Sequence, residues 1–230
     1  MLLEVEGKAV LWHTWTRASK ATKLDRLVIA AGDEIIAKAA RSWGADVVET
    51  FEECQSGSDR VWQAYQQLSK QSDQRMDDIV INIQGDEIQI HSESIDAVVE
   101  KLLADGLAGV GTAAAQIESF EDYTESAVVK VVVDKNGRAL YFSRSPIPSQ
   151  LTLENGLWKS ALRHIGIYAY RREALEQFTS LPPCQLELTE RLEQLRLVEQ
   201  GVRYSVAIVE HAGVEINTAA DLELVRKRGV

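Results

Sequence analysis

The chain is poor in cysteine, in basic residues and in long apolar runs, and each shortage removes a class of function. Among 230 residues there are only two cysteines, Cys54 and Cys184. Neither their number nor their spacing makes a disulfide framework or a cysteine metal site, so they read as two reduced thiols of a cytosolic protein. Lysine and arginine number 25 against 35 aspartates and glutamates, a formal charge of −10 with histidine neutral. A chain this acidic lacks the basic face that a nucleic-acid backbone requires, although a few local Arg and Lys residues suffice for one free nucleotide. No apolar stretch approaches the roughly 18 residues of a membrane span, and Met1 is not followed by the basic-then-apolar pattern of a secretion signal. No membrane insertion and a cytoplasmic setting are therefore expected. Internal repeats and low-complexity linkers are also missing.

What is present suits one α/β domain over 1–230: 45% of the residues are hydrophobic and 26% charged. A helix is predicted from Lys8 to Lys20, with no strand ahead of it. Then come a strand at Leu27–Ala30, a helix from Asp33 ended by Gly44, and a strand at Ala45–Glu49. A helix from Asp59 to about Lys70, capped by Ser58, a strand at Ile79–Ile83, a helix from about Ser92 to Ala104 and a strand at Gly109–Gln116 continue the alternation. Such βα repetition predicts a doubly wound, mostly parallel nucleotide-binding sheet. Lys135-Asn136-Gly137 lies between the runs Val128–Asp134 and Arg138–Ser143, and Asn-Gly marks an inserted β-hairpin. A strand over His164–Tyr170 follows. Leu188, Leu192, Leu195 and Val198 recur at helical spacing and predict one helix with a buried stripe before Gly201. A strand at Val202–Glu210 and a closing helix at Thr218–Arg228 complete the chain.

The most informative segment is Ile79 to Glu87. An apolar, β-branched run stops at Gln84-Gly85-Asp86-Glu87, as a buried parallel strand does where it leaves the sheet. Open α/β sheets bind ligands just beyond such strand ends. Asp86 there, beside a glycine, is placed to hold Mg²⁺ against a substrate phosphate, or else simply forms the turn. Arg60 sits in the first turn of its helix, where a cation opposes the helix dipole, and this favours a ligand or phosphate partner.

Five motifs in order carry a family resemblance: Gln55-Ser56-Gly57-Ser58-Asp59-Arg60, Asn82-Ile83-Gln84-Gly85-Asp86-Glu87, Tyr141-Phe142-Ser143-Arg144, His164-Ile165-Gly166-Ile167-Tyr168 and Leu192-Glu193-Gln194-Leu195-Arg196. Together they make the chain, from about Leu2 to Arg228, resemble the 3-deoxy-manno-octulosonate (Kdo) cytidylyltransferases, or CMP-Kdo synthetases. The resemblance implies that Kdo attacks the α-phosphate of CTP, giving CMP-Kdo for lipopolysaccharide and releasing pyrophosphate, with Mg²⁺ as cofactor and a homodimer as the assembly. It implies that Ser56 and Gly57 meet the cytosine and that Arg60 binds the nucleotide. Asp86 would hold the metal, and Asp86 and Arg144 would serve catalysis. Gln84, Arg144, His164, Glu193 and Gln194 would bind the sugar acid.

Each residue has a plainer reading. Gln84 could satisfy a structural hydrogen bond, Arg144 could pair with a nearby acid, His164 could be a core histidine, and Glu193 with Gln194 could form a solvated helix face. Two departures from the family stand out. The family's first strand and its basic, glycine-containing triphosphate loop are expected upstream of Met1. Asn217 stands where the family has a second metal-binding Asp, and Glu215 is the nearest carboxylate. A cytidylyltransferase for a related acid sugar, or a degenerate homologue that binds a sugar or a partner chain, are the competing functions.

Overall fold

The computed structural model describes residues 1–50, 53–54, 56–71, 79–149, 157–210, 213, 223 and 225–226. They pack as two compact units. One comprises Met1–Asp96 with Gly213–Val230, the other Ala97–Ala212.

The first unit opens with a small hairpin, β1 (Glu4–Val5) and β2 (Lys8–Ala9), ahead of helix α1 (Val10–Ala18). Glu6 and Gly7 both have positive φ, 51° and 75°, the pairing that a tight two-residue hairpin turn needs. The helix expected from Lys8 therefore starts two residues later. The hairpin turns Val5 inward, where it is fully buried with Val10, Ile88 and Val225. Strands β3 (Val28–Ala31) and β4 (Asp46–Glu49) pair in parallel across helix α2 (Glu34–Ser42). Asp33 caps α2 by accepting from the Ile36 N–H at 2.7 Å, and Gly44, at φ 85°, leads out of its end. Ile29, Ala40 and Ala45 form a core beneath Leu11, Trp15 and Trp43. Helix α3 (Gly57–Gln71) buries Ala64 and Leu68 against Val48, and strand β5 (Ile79–Ile83) follows. Helix α4 (Ser92–Ala104) comes next in the chain.

The second unit is built on β6 (Val110–Gln116), helix α5 (Phe120–Thr124), β7 (Lys130–Val133), β8 (Ala139–Ser143), β9 (Leu162–Arg171), helices α6 (Arg172–Ser180), α7 (Gln185–Glu190) and α8 (Leu195–Glu199), and β10 (Tyr204–Val209). Its strands run in the order β10-β6-β9-β7-β8. The β6–β10 pair is parallel, as the βα alternation predicts, whereas β9 joins both β6 and β7 antiparallel, so the sheet is mixed. The hairpin expected at Asn136-Gly137 is β7–β8. Asp134 accepts from the N–H groups of Asn136 and Arg138, and Gly137 takes the positive φ of 76°. The Arg138 fork closes on Asp105 at 2.6 and 2.8 Å and holds that carboxyl down at about 2.

The single leucine-rich helix expected over 188–198 is broken in two. Arg191 adopts a left-handed conformation (φ 54°, ψ 48°) after α7, and Leu188 is left exposed. The reason lies beyond the break, where Leu195, Arg196 and Leu197 are all buried. Three consecutive residues sweep about 200° of a helix, more than one apolar stripe covers. Arg196 is the centre of this arrangement. Its guanidinium chelates Glu187 at 2.7 and 2.6 Å, donates to the Phe178 and Leu181 carbonyls, and lies 4.1 Å from the centre of the Phe178 ring. Arg196→Met strands the Glu187 carboxylate in a largely closed site, and a loss of about 3–5 kcal/mol is expected. The denaturation midpoint measures it, and Glu187→Gln/Arg196→Met should recover part of the loss.

Candidate active site

In the first unit the site is built at the end of β5. The apolar strand gives way to a turn in which the Glu87 N–H donates to the Gln84 carbonyl and the Ile88 N–H to that of Asp86. Gly85 is packed under α1. Its carbonyl accepts from the Thr14 hydroxyl at 2.9 Å, and a Cβ there would stand 3.1 Å from Leu11 Cδ1 and 2.8 Å from Met1 Sδ. The close approach that the glycine permits is thus made by this helix.

Asp86 is half-buried, and its Oδ1 is fully enclosed with no hydrogen-bond partner among the described residues. Burial raises its pKa above the ordinary carboxylate value. A buried carboxylate oxygen left open is unusual, because satisfied partners are the rule for buried polar atoms. It suits a hard cation such as Mg²⁺, which takes one or two protein carboxylates and fills the rest of its shell with water and phosphate. Among the described residues no cluster of three or more His, Cys, Asp or Glu side chains could hold a metal by itself. Asn217 and Glu215 lie outside the described residues, as do Gln55 and most of the closing helix.

The residues expected on the nucleotide side surround the start of α3. Ser56, rather than Ser58, caps this helix. Its Oγ accepts from the Asp59 N–H at 3.2 Å and donates to Asp59 Oδ2 at 2.8 Å. Ser58 is instead wholly buried and accepts from Asn82 Nδ2 at 3.3 Å. The Gln84 amide lies against Gly57, where a Cβ would sit 2.9 Å from Nε2, so the two motifs meet directly. Arg60 has a partner inside the fold. It donates to the Thr50 carbonyl at 2.6 Å and to its hydroxyl at 3.1 Å, with the guanidinium flat on Gly32. The dipole argument drawn from its helix position is met by this backbone acceptor.

In the second unit Arg144 leaves the end of β8. Three of its N–H groups donate to carbonyls, Nε to Glu190 at 2.9 Å, Nη1 to Ser126 at 3.1 Å and Nη2 to Arg191 at 3.3 Å. A guanidinium has five N–H donors, so two have no partner among the described residues and suit a ligand carboxylate. The pairing with an acid expected on the plainer reading takes a different form. Glu190 accepts from the Arg144 backbone N–H at 2.9 Å, while among the described residues the side chain bonds only carbonyls.

His164 is buried on β9. Its Nε2 lies 2.9 Å from the Thr112 hydroxyl, with the ring edge-on to Phe142. Burial drives its pKa down to about 3, so the ring is neutral at physiological pH. Glu193 and Gln194 occupy the turn between α7 and α8, not a helix face. Gln194 is buried, and its Nε2 has no partner among the described residues.

Sequence reasoning missed Lys130, Glu190 and Thr112. Lys130 carried a signal, a lone cation in the apolar run Val128-Val129-Lys130-Val131. Glu190 and Thr112 carried none, because their partners are remote in sequence.

Comparison with known proteins gives the family. A family model for cytidylyltransferases matches residues 1–208. The 3-deoxy-manno-octulosonate cytidylyltransferase of Geobacter metallireducens is 36% identical, over 97% of this chain and 89% of its own length. That of Chloroherpeton thalassium is 40% identical, over 98% and 89%. Among solved structures, a CMP:2-keto-3-deoxy-manno-octonic acid synthetase complexed with CTP superposes with a TM-score of 0.86 at 33% identity, covering 99% of this chain and 90% of that one. A 4-diphosphocytidyl-2C-methyl-D-erythritol synthase, at 14% identity and a TM-score of 0.63, shares the fold. The chain belongs to the 3-deoxy-manno-octulosonate cytidylyltransferase family of α/β nucleotidyltransferases.

Proposed function

We propose that this protein couples Kdo to CTP, forming CMP-Kdo and pyrophosphate. One observation carries the reading. Three buried side-chain atoms lack partners among the described residues, Thr16 Oγ1, Asp86 Oδ1 and Gln194 Nε2. Two of the three belong to the motifs on which the family resemblance rests. One is an acceptor suited to a cation beside phosphates, the other a donor suited to a sugar hydroxyl.

In the reaction the anomeric hydroxyl oxygen of Kdo bonds to the α-phosphorus of CTP. The bond from that phosphorus to the bridging oxygen of pyrophosphate breaks, and the hydroxyl proton passes to solvent. The protein contributes position and charge, which supply most of the rate in phosphoryl-type transfer. The two spare N–H donors of Arg144 take the sugar carboxylate, and Gln194 Nε2 takes a hydroxyl. The resemblance assigns Gln84 to the sugar as well, and Ser56 with Gly57 to the cytosine. The neutral ring of His164 contributes a hydrogen bond without a charge. Mg²⁺, held by Asp86, would supply Lewis-acid stabilisation of phosphate charge. A homodimer and a cytoplasmic setting belong to the same reading. No helix among the described residues is long and apolar enough to cross a membrane.

The test is pyrophosphate release from CTP and Mg²⁺ with a panel of acid sugars. Kdo should give turnover with CMP-Kdo as product. Turnover with an amino-Kdo or a sialic acid in its place would reassign the substrate, and no turnover with any of them would overturn the reading.

A further inference from the structure

We propose that Lys130 and Glu190 are positioning residues, a two-sided clamp on the backbone of Arg144 that sets its guanidinium for the carboxylate of the sugar. The inference rests on the Kdo reading above and adds two residues to it.

Lys130 is fully buried, and its Nζ donates to three carbonyls, those of Glu125 at 2.9 Å, Val128 at 2.6 Å and Arg144 at 2.6 Å. An ammonium has three N–H donors, so this set uses all of them. Lys130 takes part in no ion pair among the described residues. A buried ammonium solvated by carbonyls alone is costly, and hydrophobic residues ordinarily fill such positions in a strand. Its burial also lowers its pKa. Three charge-assisted hydrogen bonds offset that cost, and one of the acceptors is the carbonyl of Arg144.

The other side of the same residue is held by Glu190. Its Oε2 accepts from the Arg144 N–H at 2.9 Å, and its Oε1 accepts from the Ser143 hydroxyl at 2.7 Å and lies 3.4 Å from the Tyr141 hydroxyl. Arg144 is therefore fixed at both its N–H and its carbonyl. The guanidinium then returns the contact, closing on the carbonyls of Glu190 and Arg191. Arg191 is the left-handed residue that opens the turn carrying Glu193 and Gln194. The clamp thus ties the strand end bearing the proposed carboxylate fork to the turn bearing Gln194, whose Nε2 has no partner among the described residues. Lys130 ties in the loop after α5, whose Ser126 carbonyl holds the third arm of the fork.

A purely structural clamp predicts lower stability with both Michaelis constants unchanged. A positioning clamp predicts a selective loss toward the sugar. Steady-state kinetics on the full chain with CTP, Mg²⁺ and Kdo should show Glu190→Ala and Lys130→Met raising KM for Kdo about tenfold to a hundredfold, with KM for CTP within twofold of wild type. Glu190→Gln keeps an acceptor for the Arg144 N–H and should recover most of the loss. If the buried variants fail to fold, Ser143→Ala removes one strut and should raise KM for Kdo several-fold in a folded protein. Unchanged KM for Kdo in the folded variants, or equal rises for both substrates, overturns the clamp while leaving the Kdo reading intact. A wild-type protein that does not turn over Kdo overturns that reading and the clamp's substrate with it.

Discussion

Replacing Asp86 by Asn should lower the rate of pyrophosphate release by about a thousandfold or more while leaving the protein as stable as wild type, or slightly more so. The two halves of this result are linked by one atom. Oδ1 is enclosed and has no hydrogen-bond partner among the described residues. Ionised, it stands in a partly desolvated site, and its raised pKa reports that the fold disfavours the charge. A carboxyl whose folded pKa lies above its unfolded value costs stability at every pH above the folded value. The neutral amide removes that cost. A carboxylate kept for turn geometry alone would leave turnover unchanged, since Asn fills the same turn positions as Asp. Thermal unfolding and turnover measured on the same preparation separate the cases. A lowered Tm with near-normal turnover would remove Asp86 from the site. Titration of Mg²⁺ into the two proteins without nucleotide gives an independent reading of whether the carboxylate is the ligand.

Acid should destabilise the second unit through His164. Its pKa falls from the ordinary 6.5 to about 3 because the ring is buried. Above pH 6.5 the imidazole is neutral in both folded and unfolded chains and contributes no pH dependence. Between pH 6.5 and about 3 the unfolded chain binds a proton that the folded chain refuses, so stability falls as the pH falls. The slope is roughly 1.4 kcal/mol per pH unit, and the full loss is roughly 4–5 kcal/mol by the lower end of the window. Denaturant titrations at pH 7, 5 and 4 on wild type and His164→Gln should diverge in slope. The variant starts less stable, because it loses the edge-on contact with Phe142 and perturbs the bond to Thr112, but it lacks this component of the acid loss. A ring titrating near 6.5 by NMR would show that the imidazole is hydrated and would remove the effect.

Much of this was legible in the chain because the signals are local. The run Ile79–Ile83 stops where polar residues begin, and strand β5 ends there. Asn136-Gly137 marks a hairpin because few other pairs accept its turn, and β7–β8 is that hairpin. Helices α2 and α4 lie within a residue or so of their expected bounds, since caps and apolar spacing are read over one or two turns. Asp86, singled out by its place at the strand end, and Gln194, singled out by resemblance, hold two of the buried atoms without a partner among the described residues.

What the chain could not state by itself is which distant group each polar residue would meet. Arg60 opposes its helix dipole but donates to the Thr50 carbonyl, and Ser58 stands at a capping position but accepts from Asn82 instead. The leucines from 188 to 198 obey helical spacing, but the ion pair of Arg196 with Glu187 and the burial of Leu197 are satisfied only when the helix breaks at Arg191. Lys130 shows the division most plainly. Its neighbours in sequence make it a strand residue, while its charge is tolerable only because three carbonyls converge on it. Periodicity and turn chemistry act between residues a few positions apart, so sequence alone determined strands β3 to β10 and helices α1 to α4 and their order, but not the opening hairpin or the break at Arg191. Desolvation and hydrogen-bond completion act between residues brought together by the fold, so only the tertiary structure decided which polar atoms are satisfied and which are left for a ligand.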